Sequence, residues 1–237
     1  EAIGAGLAEG ARQSNISISG GEIAQLKDII KGYNEGLGFG LAGTAVGRVD
    51  IDKINYGIQT RPGDVIIGIA SNGIHSNGLS LARRALFELA DYDANSHVEI
   101  LGHSIGEELL RPTYIYVAEV LEILEQVKDI SALIHITGDG FLNLTRVKAD
   151  VGFVIDELPQ APALFPLIQG ISGSDNMEMY HVFNMGIGFC LVVRPEAETQ
   201  VIDIVQSHGK ACQRIGYVND GPAGSVKIEP AGITMTR

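Results

Sequence analysis

Along the 237-residue chain, alternating or continuous apolar runs give way to stretches whose apolar positions recur every three or four residues. Alternation marks a half-buried strand, and recurrence near 3.6 marks one face of a helix. Residues 2–14 (AIGAGLAEGARQS) carry small apolar residues on one side and predict a helix. NISISGGE then reads as a short alternating strand ending in a double glycine, and residues 25–34 as a short helix or an excursion loop. FGLAGTAVGRVD, residues 39–50, alternates again as a strand should. RPGD at 61–64 is a turn, and the dense β-branched run DVIIGIA at 64–70 suits a buried strand.

SNGIHSNG at 71–78 is a polar loop, and Ser76 or Asn77 is placed to cap the helix LSLARRALFELA that follows. Residues 91–106 are irregular, and EELLR is helical up to Pro112. YIYVAEVLEILEQV at 114–127 presents Val117, Val120, Leu121 and Leu124 at helical spacing, its glutamates forming a solvated face. The strand ISALIHI runs into the loop TGDG at 137–140, followed by the helical FLNLTRV, so a strand–polar loop–helix unit occurs twice. The strand GFVID, a helix near 163–169, the segment MEMYHVFN, the strand IGFCLVV at 187–193, a helix at 195–208 and a strand at 212–218 complete the set. Strands and helices alternate without repeats, which predicts an α/β to α+β fold with a domain boundary near residue 60.

Composition narrows the functional classes. Lys plus Arg number 17 against 29 Asp plus Glu, a net charge of −12, which argues against a general nucleic-acid or anionic-membrane binder and requires any phosphate site to be local. The longest apolar stretch, Gly186 to Val193, is far shorter than the roughly 18–20 residues of a membrane-spanning helix, so a soluble cytoplasmic protein is expected. Cys190 and Cys212 sit in apolar, strand-like runs without metal-ligand spacing and are expected to be buried free thiols. The 30 glycines, roughly twice the usual share, cluster beside Ser, Asn, Thr and Asp, as in loops lying close to a polar ligand.

A strand that ends in a glycine-rich polar loop before a helix gathers unpaired N–H groups at one spot and attracts phosphate. SNGIHSNG has that form, with Ser71, Asn72, Ser76, Asn77 and the imidazole of His75; an Asn-Gly turn before a capped helix is the plainer alternative. ITGDG repeats the theme with Thr137 and Asp139, and His135 just before it reads as a hydrogen-bonded core histidine. Asp139 and Glu22, each in a glycine setting, bond their own backbone or offer oxygen ligands to Mg²⁺.

In this order and spacing, GGEIAQL, GDVIIGIASNGIHSNGLSLARRAL, LLRPTYIYV, ALIHITGDGFLNLTRV and EMYHVFNMGIGFCLVV resemble the aminoimidazole ribonucleotide synthetase (phosphoribosylformylglycinamidine cyclo-ligase) family over nearly the whole chain. The resemblance implies a PurM-like two-domain architecture. Residues 1–60 would be the latter part of an N-terminal nucleotide-binding domain and 61–237 a complete C-terminal domain of mixed sheet with packed helices. It implies a homodimer that uses ATP and Mg²⁺ to close formylglycinamidine ribonucleotide into aminoimidazole ribonucleotide, with a fragment of this extent catalytically incomplete. On the matching positions, Glu22 would be a metal ligand, with Asp139, read from its own glycine loop, as the second metal candidate. Ser71, Asn72, Gly73, Ser76, Asn77, Thr137, Gly138 and Gly140 would line the substrate and phosphate pocket, and His75 would stabilise an oxyanion or shuttle a proton. Several positions depart from the pattern: Ile23, Gln25 and Lys27 in GGEIAQLKD, Asp139 for a glycine, Tyr114 for a basic residue and His181 for arginine. Asp139 makes its loop resemble thiamine-monophosphate kinase, so another ATP-dependent enzyme of the fold, the selenophosphate synthetase type included, and a non-catalytic dimerisation module are the alternatives.

Overall fold

A computed structural model describes residues 1–25, 29–32 and 38–237, which form two units, 1–54 and 55–237. The first unit opens with the expected helix α1 (Ala2–Ser14), ended by Asn15 in the left-handed conformation at φ 51°, which asparagine adopts more readily than most residues. Beyond it, the strands expected from NISISGGE and from residues 39–50 do not form. A strand persists where a neighbour takes its N–H and C=O groups, and among the described residues of this unit there is no such ladder and no buried residue. The expectation for residues 25–34 falls largely outside the described residues.

In the second unit, β1 (Val65–Ala70) shows why the chain folds as it does. Val65, Ile67 and Ile69 enter one apolar cluster and Ile66 another, so the strand is buried on both faces. After it come α2 (Leu79–Arg83), which runs on as a π-helical turn over Arg84–Leu89, and a small hairpin of β2 (His97–Val98) and β3 (His103–Ser104) within the stretch expected to be irregular. Then follow α3 (Ile105–Leu109), α4 (Val117–Gln126), β4 (Ile130–His135), a 3-10 segment at Gly140–Arg146 and β5 (Gly152–Ile155). The chain ends with α5 (Leu164–Ser172), α6 (Asn176–Val182), β6 (Ile187–Val193), α7 (Glu198–Ser207), β7 (Cys212–Asn219), β8 (Ser225–Ile228) and β9 (Ile233–Thr236).

Seven strands form one mixed sheet in the order β4-β6-β1-β7-β5-β8-β9, antiparallel throughout except for the parallel pair β5 and β8. One face packs on the α2 turn, α5, α6 and the 3-10 segment through Leu86, Phe165, Met179 and Phe141. The other packs on α4 and α7 through Ile123, Val201 and Val205. Of the α4 glutamates, Glu125 is exposed and Glu122 partly so, as the expected solvated face requires, but Glu119 departs from it: it is fully buried, with the Lys210 ammonium 2.9 Å from its carboxylate. Cys190 is buried as expected, whereas Cys212 is only partly so.

Candidate functional site

β1 and β4 each pair antiparallel with β6 from opposite sides, so they run parallel to one another and their C-terminal ends lie at the same end of the sheet. The loops that follow them are fixed to the same stretch of backbone. Ser71 N–H donates to the Gly186 carbonyl at 2.8 Å, and Ile136 N–H donates to the Gly188 carbonyl at 3.0 Å. The loops then lie side by side: a Cβ added at Gly138 would reach ordinary van der Waals distance, 3.5 Å, from Asn77 Oδ1. SNGIHSNG and ITGDG, some sixty residues apart in the chain, form one surface.

The inner half of the first loop is spent on holding itself. Ser71 Oγ donates to Asn184 Oδ1 at 2.8 Å, which also accepts from Gly186 N–H at 2.8 Å. Asn184 Nδ2 donates back to the carbonyls of Gly73 (2.9 Å) and Ile74 (3.2 Å). Asn72 Nδ2 donates to the Pro112 carbonyl (2.7 Å), and its own carbonyl accepts from Arg111 Nη1 (2.9 Å). Arg111 is held by the buried carboxylate of Glu108, which also meets His103 Nε2.

His75 is buried, in the left-handed region at φ 59°, with Nε2 2.9 Å from Asn72 Oδ1 and Nδ1 buried without a partner. Nε2 donating and Nδ1 bare is the neutral tautomer that leaves no buried N–H unpaired. Burial, aided by the charge of nearby His135, pushes the imidazole down to about 4. The ring reaches this place because residue 188 is glycine: a Cβ there would come within 2.0 Å of Tyr116 Oη and 2.8 Å of His75 Cε1. Tyr116 Oη donates to the Ala70 carbonyl (2.9 Å), and burial raises its phenol far above the usual range.

The second loop is equally well braced. Asn143, fully buried, donates from Nδ2 to the carbonyls of Gly138 (2.9 Å) and Gly140 (2.6 Å). Gly140 has φ 53°, and a Cβ there would stand 1.9 Å from the Tyr180 carbonyl oxygen, so only glycine fits. Asp139, also left-handed at φ 73°, is exposed and ion-paired with Arg146 at 3.1 Å.

The accessible groups are therefore the outer ones: Ser76, whose Oγ is 3.4 Å from Thr113 Oγ1, together with Asn77, Thr137, Gly138 and Asp139. Neither Ser76 nor Asn77 caps the following helix, as was expected; Gly78, at φ 82°, occupies the cap position without a side-chain bond. His135 is likewise not a hydrogen-bonded core residue. Its ring is exposed at the end of an edge strand, stacked on Phe189, and partial desolvation lowers its pKa. Glu22 is exposed in the first unit. Among the described residues no three His, Cys, Asp or Glu side chains gather as a metal site, and no helix is long and apolar enough to cross a membrane. Sequence reasoning missed Asn184, Arg111 and Glu108. Asn184 had a visible signal, as the last polar residue before the apolar run that leads into IGFCLVV.

Residues 61–229 match the family model described as AIR synthase related protein, C-terminal domain. Proteins named phosphoribosylformylglycinamidine cyclo-ligase are similar in sequence. That of Methanococcus maripaludis is 45% identical over 92% of this chain and 60% of its own length, and that of Methanobrevibacter smithii 46% over 96% and 65%. The chain thus spans about three-fifths of the length of the curated relatives it matches. Among solved structures, the hydrogenase maturation protein HypE gives a TM-score of 0.53 at 19% identity, covering 80% of this chain and 57% of that one. Its ATP complex gives 0.51 at 18%, over 80% and 54%, and these likenesses show the fold alone. With the mixed sheet and the two loops that follow β1 and β4 accounted for, the match over most of the chain makes it a member of the AIR synthase-related family, carrying that family's C-terminal domain.

Proposed function

We propose that the protein acts in the ATP-driven closure of formylglycinamidine ribonucleotide to aminoimidazole ribonucleotide in purine biosynthesis. The observation that carries the reading is the close approach of the two polar glycine loops, in a chain 42–46% identical to proteins named for that reaction. An amide oxygen is a poor leaving group. Transfer of the terminal phosphoryl of ATP to the formyl oxygen yields ADP and an activated carbon. The amidine nitrogen of the same molecule then attacks that carbon, the C–O bond breaks, phosphate leaves with the oxygen, and the nitrogen loses its proton. Nucleophile and electrophile share one molecule, so the protein's main tasks are to fold it and to hold the phosphoryl group.

The roles divide as the hydrogen bonds do. Ser76, Asn77, Thr137 and Gly138 present donors to the phosphorylated oxygen, while Ser71, Asn72, Gly73 and Gly140 hold the two walls in shape. His75, neutral and bonded to Asn72, acts through that amide as a positioning residue. Mg²⁺ is commonly held by one or two carboxylates and the nucleotide's own phosphates; in the second unit Asp139, on leaving Arg146, would offer such an oxygen donor, and in the first unit, taken by itself, the exposed Glu22 would offer another. The metal would supply charge neutralisation on the phosphates. The apolar residues exposed in the first unit, Ile16, Ile18, Phe39, Leu41 and Val46 among them, support a homodimer, and a cytoplasmic enzyme follows from the pathway. To test the reading, incubate the protein in its natural full length with formylglycinamidine ribonucleotide, ATP and Mg²⁺ and follow ADP and cyclised product together. Equimolar formation supports it; ADP without ring closure, or turnover only with thiamine monophosphate, refutes it.

A further inference from the structure

Beside the 137–140 loop lies a second feature that the roles above leave unused. A cleft of about 460 Å³ runs along β4, the free edge strand of the sheet, between the turn at 55–57 and the segment that follows the 3-10 turn. It is within the usual size of small-ligand sites. Its walls carry two permanent cations, Arg146 and Lys148, together with Tyr56, His135, Thr137 and Asn143, and, among the described residues, no carboxylate. In a chain with 29 acidic residues against 17 basic ones, a concave surface lined this way is a local reversal of sign.

The cations are placed rather than loose. Lys148 N–H donates to the Tyr56 carbonyl at 2.9 Å, and the Lys148 ammonium lies 4.3 Å from the centroid of the Tyr56 ring. Gly57 presses on Val147 so closely that a Cβ would fall 2.6 Å from the valine Cβ, which seats the turn on the segment bearing both cations. Arg146 spends one nitrogen on Asp139 and remains about half exposed. Thr137 belongs to the glycine loop as well as to the cleft, so the cleft reaches the start of that loop.

We propose that this cleft binds a phosphate group, with Lys148 and Arg146 as its counter-charges, and so anchors one phosphorylated end of a ligand whose reacting part lies at the paired loops. The inference rests on the reading that such a ligand binds there, but it is tested at equilibrium without turnover. Two sources offer this chemistry, a sugar phosphate and the phosphates of a nucleotide.

The experiment titrates the full chain by calorimetry with ribose 5-phosphate, with metal-free ATP and with inorganic phosphate, at low and at moderate salt. Lys148→Met keeps the stem and the backbone bond and is expected to weaken binding about tenfold, the scale of one charge-assisted hydrogen bond, and to flatten the salt dependence. Arg146→Gln should do likewise, and Lys227→Met, outside the cleft, should change nothing. Loss confined to ribose 5-phosphate supports the site with the sugar phosphate as source, and loss confined to ATP supports it with the nucleotide. Absence of binding to all three probes, or binding unchanged in both cleft variants, overturns it. A failed cyclisation assay with intact, Lys148-dependent binding would refute the proposed reaction and leave the cleft standing.

Discussion

Asn184 and Ser71, 113 residues apart, are joined by a 2.8 Å hydrogen bond at the point where β1 gives way to the first glycine loop. The same amide also takes the Gly186 N–H and donates to the carbonyls of Gly73 and Ile74. One buried side chain thus fixes both the exit of β1 and the approach to β6. Asn184→Ala strips several buried groups of partners, at about 1–3 kcal/mol for each group left unsatisfied. A loss of at least about 2 kcal/mol in urea denaturation is expected. An unchanged midpoint would mean that the loop keeps its shape without Asn184.

The buried pair on α4 gives a sharper contrast. Lys210, 2.9 Å away, is the counter-charge of Glu119, whose buried carboxylate meets no other polar partner among the described residues. Lys210→Met alone should cost about 3–5 kcal/mol because it strands a carboxylate in the core. Lys210→Met combined with Glu119→Leu should recover most of that loss. Equal destabilisation of the single and double variants would show that packing, not charge, is what Lys210 supplies.

The glycines of the second loop should separate by role. Gly140→Ala sets a methyl 1.9 Å from the Tyr180 carbonyl oxygen in a left-handed backbone, so it should unfold or displace the loop, at about 3 kcal/mol or more. At Gly138 the methyl would meet only Asn77 Oδ1, at an ordinary 3.5 Å. Gly138→Ala should therefore melt within a few degrees of the parent while narrowing the gap between the loops and lowering activity. Thermal denaturation of the two variants side by side checks this.

Acid stability follows from the histidines. His75 is pushed down to about 4 from its ordinary 6.5, so between those values the unfolded chain binds a proton that the folded chain refuses. Its contribution is complete above pH 6.5, falls as pH drops through that window and levels off below about 4. The amount is on the order of 2 kcal/mol after allowance for partial solvent screening. His135, lowered for the same reason, acts in the same direction. The carboxylates held low, Glu9 and Glu107, act only below their ordinary 4.5. His75→Gln should flatten the stability profile between pH 6.5 and 4.5, and an unchanged slope would contradict the buried, neutral imidazole.

Much of the second unit was legible because its strands are buried on both faces. DVIIGIA and IGFCLVV are continuous apolar runs, and they became β1 and β6 almost to the residue. β8 and β9, four residues each with polar alternates, carry too little pattern to be seen. NISISGGE and FGLAGTAVGRVD show the opposite failure, a strand pattern without a neighbouring strand to complete its ladder. The loops' residue types were readable, but their division of labour was not. Whether Ser71, Asn72 and His75 turn outward or inward depends on Asn184, Arg111 and Gly188, which sequence distance conceals and only the topology of β1, β4 and β6 brings together.

The central claim is that the two glycine loops serve one phosphorylated ligand, and amide chemical shifts test it most directly. In a titration of the isotope-labelled chain with formylglycinamidine ribonucleotide, the N–H signals of Ser76, Asn77, Thr137 and Gly138 should move together along curves with a single Kd. Shifts confined to one loop, or two loops saturating at different concentrations, would contradict the account.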